Sequence, residues 1–186
     1  MTPGDAPGML TSERVYDGRL LTVDRDTVRN PAGTRIELEV VRHPGAAAVV
    51  PFLDPLDSDD PTVLLIQQYR YAAGGMIWEI PAGVLRPGED PATCARRELR
   101  EETGATAKTI EHLTTIYTTP GFTDERIHLF MATGITPGEP HQEEDELIAV
   151  QALPLSRVLE MIRDGAVVDG KSITALLFVA GYRIGL

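Results

Sequence analysis

The chain has 186 residues, 42% of them hydrophobic, and carries 28 Asp and Glu against 17 Lys and Arg, a formal net charge of −11. That length fits one globular domain, or one domain with a small appendage, and can bury a substantial core. The acidic balance, with no Lys/Arg-rich run, argues against nucleic acid or an anionic membrane surface as partner. An anionic substrate would need a bridging cation. The one cysteine, Cys94, excludes an internal disulfide framework and a Cys-based zinc finger. The opening MTPGDAPGML lacks the basic flank and apolar run of a signal peptide, and no apolar stretch approaches the ~18 residues of a membrane span. A soluble, cytoplasmic protein is the expectation.

In chain order, the Pro/Gly-rich residues 1–12 are expected to be disordered, and residues 13–45 to form a strand-rich N-terminal subdomain. Within it, TRIELEVVRH alternates Ile36, Leu38 and Val40 against Glu37 and Glu39, the pattern of a half-buried strand. LLTVDRDTV before it alternates more weakly, and NPAG at 30–33 is a turn signal, so residues 20–42 read as a hairpin. AAAVVPFL and PTVLLIQQYR are apolar strands separated by the acidic loop DPLDSDD. Further strand candidates are IWEIPAG, LTTIYTT, RIHLFMATG and ELIAVQALP. A helix is predicted from Pro91 to about Thr103, with Asp90 as N-cap and Pro91 at the first helical position. A second helix runs from Leu155 to Asp164 and stops at Gly165, and a third, SITALLFVAGYRI, follows. Many strands with few helices between them predict an α+β fold, with helices on the faces of a mixed sheet.

The first helix poses an electrostatic question. Ala92, Ala95 and Leu99 make a narrow apolar stripe, while Glu98, Glu101 and Glu102 crowd one turn of an adjoining face. Like charges at these spacings cost on the order of 0.2–0.5 kcal/mol per pair, so a cation is expected among them. The preceding loop, PAGVLRPGED, carries Gly83 and Gly88 and can fold tightly against the helix. Carboxylates with loop carbonyls make an oxygen-only environment, which suits Mg²⁺ or Mn²⁺ better than zinc.

Reading onward from Gly83 gives five residues, Glu89, seven residues, Arg97-Glu98-Leu99, one residue, Glu101-Glu102, one residue, then Gly104 and Ala105. This run of 23 residues resembles the Nudix box at every fixed position, in the loop-then-helix context it requires. The resemblance implies an α/β/α sandwich, over residues 46–186, that hydrolyses a nucleoside diphosphate linked to another group by means of divalent metals. QQYRYAAG followed by WEIPAG, the N-terminal hairpin, and Pro120 sixteen residues beyond Gly104 resemble the ADP-ribose pyrophosphatase branch. That branch implies a homodimer built through the N-terminal strands.

A pyrophosphate repels hydroxide, and metal ions answer this by neutralising phosphate oxygens and acidifying bound water. By resemblance, Glu98 and Glu102 are the principal ligands, Glu101 a secondary or bridging one, and the Ala82 carbonyl an additional oxygen. Glu89 and Arg97 would hold these carboxylates in place. The general base is sought in PHQEEDELIAV, with Glu146 favoured and Glu144 second among Glu143, Glu144, Asp145 and Glu146. Arg70 is a candidate phosphate clamp, because a guanidinium binds oxygens as a fork, or else a surface ion-pair partner. Glu79 is either an acceptor for ribose or adenine or a member of a strand-edge salt bridge. Pro120 is a substrate-binding candidate by resemblance or else merely shapes a turn, and Asp124 and Glu125 could contact the terminal sugar, help bind metal, or be solvated loop acids. Trp78 is read as a core aromatic, Lys171 as structural, and Cys94 as an inert core thiol. The histidines are too scattered to hold zinc. The expected activity is cleavage of ADP-ribose or a related nucleoside diphosphate sugar to a nucleoside monophosphate and a sugar phosphate. The rivals are a Nudix hydrolase for flavin dinucleotide, dinucleoside polyphosphates or oxidised nucleotides, and a non-catalytic nucleotide sensor.

Overall fold

The structure is a computed structural model and describes residues 6–139 and 147–185. It divides into two compact units, one comprising the chain up to Pro44 with Tyr117–Arg126, the other Gly45–Ile116 with Ile127 onward.

The first unit is built on an antiparallel sheet in the order β1-β2-β3, from Gly8–Asp17, Thr22–Arg29 and Arg35–Arg42. The expected hairpin is its β2–β3 half. Its turn is made by Asn30, whose backbone pairs with Thr34 and whose Oδ1 accepts from the Ala32 and Thr34 amides at 3.0 and 2.9 Å. The strand β1 corrects two expectations. Composition assigned residues 1–12 to disorder, yet β1 begins at Gly8. Register shifts between Met9 and Thr11 and between Arg14 and Tyr16 break its period of two, so the strand hides from a pattern search. The half-buried reading of β3 also fails, since Ile36 and Leu38 are 37% and 41% exposed. Leu38 lies across from Asp26 and Val40 across from Asp24. The middle of the apolar face therefore holds an ion-pair network in which Arg42 binds Asp24 and Asp26, and Arg14 binds Asp24.

The second unit contains two sheets. One has the order β7-β4-β9-β8, from Ala82–Val84, Ala46–Pro51, Arg126–Thr136 and Thr106–Tyr117, and its β4–β9 pair is parallel. The other, antiparallel, has the order β10-β5-β6, from Ile148–Pro154, Thr62–Arg70 and Gly75–Glu79. Three helices, α1 (Pro91–Thr103), α2 (Leu155–Arg163) and α3 (Gly170–Val179), flank them. All of β4 is buried. Ala46, Ala48 and Val50 enter a core with Leu155, Val158, Leu176 and Val179, whereas Ala47 and Val49 enter another with Cys94, Ala95 and Leu99. Alternation along one strand thus feeds two cores, one under α2 and α3 and one under α1. This is the expected α+β fold, a mixed-sheet sandwich with helices on both faces. Trp78 packs against the first core as a partly buried aromatic. Among the described residues no helix is long and apolar enough to cross a membrane.

Candidate active site

The helix α1 forms for the reasons its sequence gives. Asp90 caps it, accepting from the Thr93 amide at 3.1 Å, and Gly104 ends it at φ 73°, where its amide reaches the Arg100 carbonyl. A side chain at Gly104 would also collide with the Gly138 carbonyl, 2.3 Å from a Cβ placed there. Cys94, Ala95 and Leu99 dock on the core, and that rotation turns Glu98 and Glu102 inward, to 8% and 2% exposure.

The expected cation is in part a residue of the same helix. Arg97 sends Nε and Nη2 to the two oxygens of Glu89, each at 2.9 Å, and Nη1 to Glu98 and, at 3.0 Å, to Glu101. Its Nη2 also donates to the Val84 carbonyl at 3.1 Å. This fork holds the Glu89 carboxyl far below its ordinary range, at about 2, and raises the guanidinium's own pKa. Arg86 stands 3.6 Å from the other oxygen of Glu101.

The strand exit on the neighbouring sheet closes on the helix. The Ala82 amide donates to Glu102 at 3.0 Å. At Gly83 a Cβ would lie 1.9 Å from Glu98 Oε1, so only glycine lets that carboxylate approach the backbone. Burial pushes the Cys94 thiol up to about 12, and its Sγ points at the Gly83 and Val84 carbonyls. The inert-thiol reading holds.

Among the described residues no three His, Cys, Asp or Glu side chains converge closely enough to hold a metal ion. Glu98 and Glu101 are drawn to Arg97 and Glu102 to the Ala82 amide. The expected donors, carboxylates and a backbone carbonyl, are hard oxygen ligands of the kind a divalent cation such as Mg²⁺ takes.

Arg70 and Glu79 find each other. Nε and Nη2 of Arg70 donate to Oε1 and Oε2 of Glu79 at 2.8 and 2.9 Å, and Lys171 Nζ adds a third bond to Oε2 at 2.7 Å. Burial would raise the Glu79 carboxyl, yet Arg70 and Lys171 together hold it below its ordinary value. Sequence reasoning offered an ion pair as the alternative role of both Arg70 and Glu79 and read Lys171 as structural, without linking the three. Ninety-two residues separate Glu79 from Lys171, and no local spacing signals such a contact. Pro120 and Asp124 belong to the other compact unit. Pro120 is exposed in a turn, and Asp124 accepts from the His43 amide at 3.0 Å and pairs with Arg42 at 3.3 Å. Glu143, Glu144, Asp145 and Glu146 lie outside the described residues.

The NUDIX domain family matches residues 42–176. The chain belongs to the Nudix family. This Nudix protein is 36% identical to a methanol dehydrogenase activator of Bacillus methanolicus over 91% of its own length and 90% of that protein. It is 35% identical to an ADP-ribose pyrophosphatase of Bacillus subtilis, with the same shares covered. Its fold matches a solved ADP compounds hydrolase at a TM-score of 0.80 and 24% identity, over 96% of this chain and 95% of that one.

Proposed function

We propose that this Nudix protein hydrolyses the diphosphate bond of ADP-ribose or a related nucleoside diphosphate sugar, releasing a nucleoside monophosphate and a sugar phosphate. The carrying observation is the turn of α1 on which Arg97 gathers Glu98 and Glu101 while the Ala82 amide holds Glu102, against a strand whose Gly83 admits Glu98 to the backbone. The similarity to a protein named ADP-ribose pyrophosphatase, over nine-tenths of both chains, supports the same class of substrate. Glu98, Glu101, Glu102 and the Ala82 carbonyl would hold Mg²⁺, or Mn²⁺ in its place. The metal would neutralise phosphate oxygens and activate water. The chain's own residues do the rest. Arg97 keeps two of the carboxylates oriented, the Ala82 amide fixes Glu102, and Arg70 presents its open edge to a phosphate. Pro120 and Asp124 contact the substrate, Asp124 on its terminal-sugar side, and Glu146 takes the proton from water. The protein works in the cytoplasm as a homodimer, whose contact uses the exposed apolar row Met9, Ile36 and Leu38 on the N-terminal sheet.

A panel of ADP-ribose, GDP-mannose, flavin dinucleotide and a dinucleoside polyphosphate, each with Mg²⁺ and with Mn²⁺, tests the reading. ADP-ribose should give AMP and ribose 5-phosphate, and Glu102→Gln should abolish turnover. Tight ligand binding without turnover under either metal would replace the enzyme with a sensor. In ¹⁸O-labelled water, the product that gains the label identifies the phosphorus attacked.

A further inference from the structure

Glu79 is 2% exposed and fully engaged, with Oε1 taken by Arg70 Nε and Oε2 shared by Arg70 Nη2 and Lys171 Nζ. A buried carboxylate held by Arg70 alone would form a neutral pair, with its single positive charge cancelled. Lys171 brings a second cation to the same carboxylate. Asp169 pairs with Lys171 at 3.0 Å, and the same oxygen caps α3 through the Ser172 amide at 3.0 Å and takes the Ser172 hydroxyl, so Arg70, Lys171, Glu79 and Asp169 form a cluster of two cations and two anions. The Arg70 side chain is 41% exposed and that of Lys171 only 12%. Of the four groups Arg70 is the most exposed, and one edge of its guanidinium faces away from Glu79. That edge carries Nη1, which makes no hydrogen bond among the described residues, while Nε and Nη2 are locked in a planar, bidentate pair.

We propose that Lys171 is a positioning residue for phosphate recognition: through the Glu79 carboxylate that both cations share, it fixes the direction of the Arg70 guanidinium and keeps its Nη1 edge turned to the diphosphate. The inference rests on Arg70 as the phosphate clamp of the proposed reaction. The same turn of α3 steadies the strand exit, because the buried Ser172 hydroxyl accepts from the Ile80 amide at 2.8 Å, two residues before Ala82.

A double-mutant cycle separates this role from a merely structural one. Affinity for α,β-methylene ADP-ribose with Mg²⁺ is measured by calorimetry, and KM and kcat for ADP-ribose by turnover, in wild type, Lys171→Met, Arg70→Ala and the double variant. Lys171→Met should weaken affinity and raise KM by about tenfold, the scale of one charge-assisted hydrogen bond, with kcat within about threefold. On the Arg70→Ala background the same substitution should change affinity less than about twofold, and Lys171→Arg should recover most of the loss. Equal losses on both backgrounds, or a Lys171→Met variant within twofold of wild type, would overturn the proposal. If Lys171→Met fails to fold, Lys171→Gln takes its place in the cycle. A wild-type protein inert to ADP-ribose would refute the substrate reading and this inference with it, whereas active wild type with indifferent Lys171 variants would refute this inference alone.

Discussion

Replacing Arg97 with methionine removes the cation that binds Glu89, Glu98 and Glu101 together, and its cost can be worked from the contacts. The guanidinium gives two bonds to Glu89, one each to Glu98 and Glu101, and one to the Val84 carbonyl. It is 15% exposed, with Glu89 and Glu98 at 10% and Glu101 at 29%. Stripping one partner from a buried ion pair costs roughly 3–5 kcal/mol, and water's access to Glu101 favours the lower end, about 3 kcal/mol. A divalent ion that binds only the folded protein stabilises it by mass action, about 2.7 kcal/mol at a hundred times its Kd. With Arg97 gone it no longer competes with a guanidinium for Glu98. Urea unfolding should therefore show a gap of about 3 kcal/mol between wild type and Arg97→Met in EDTA, shrinking below about 1.5 kcal/mol in saturating Mg²⁺. A gap under 1 kcal/mol in EDTA, or one indifferent to Mg²⁺, would refute the view that Arg97 and the metal act on the same carboxylates.

Further consequences are open to the same kind of measurement. Gly83→Ala sets a methyl against Glu98 and should lower Mn²⁺ affinity, read by electron paramagnetic resonance, by about tenfold or more; unchanged affinity would remove Gly83 from the site. The Glu89 carboxyl, depressed from 4.5 to about 2 chiefly by its bonds from Arg97, contributes stability that is complete above about pH 4.5 and fades as pH falls toward 2. The difference in urea midpoint between wild type and Glu89→Gln should be flat from pH 7 to 5 and narrow by pH 3, and a constant difference would contradict the ion pair. Cys94, with its thiol held up to about 12 by burial, should resist Ellman's reagent at pH 8 until the protein is unfolded. Leu99→Ala, in the core under α1, should cost about 2–5 kcal/mol.

What could be read in advance followed from how local its physics is. The bounds of α1 are set by Asp90, Pro91 and Gly104, all within the segment, and the structure places them as the sequence implies. The spacing of Glu98, Glu101 and Glu102 foretold a shared cation, and Arg97 fills part of that need from the same turn. The misses come from distance and from irregularity. Nothing near Lys171 announces Glu79, and the two shifts in β1 scramble an alternation that would have revealed a strand from Gly8. Ile36 and Leu38 were misjudged because alternation marks a face without saying what covers it, and here Asp26 stands opposite Leu38.

The strand β4 is a partition only one residue thick, with alanines at 46, 47 and 48 facing alternately toward α1 and toward α3. Such small side chains leave little slack on either side. A methyl group added beneath α3, at a fully buried position such as Ala48 or Ala175, presses on packed neighbours, and the push passes through the wall to the helix that carries the glutamates. Bulk introduced at Ala48 or Ala175 should thus register as altered turnover, although neither residue belongs to the reaction chamber.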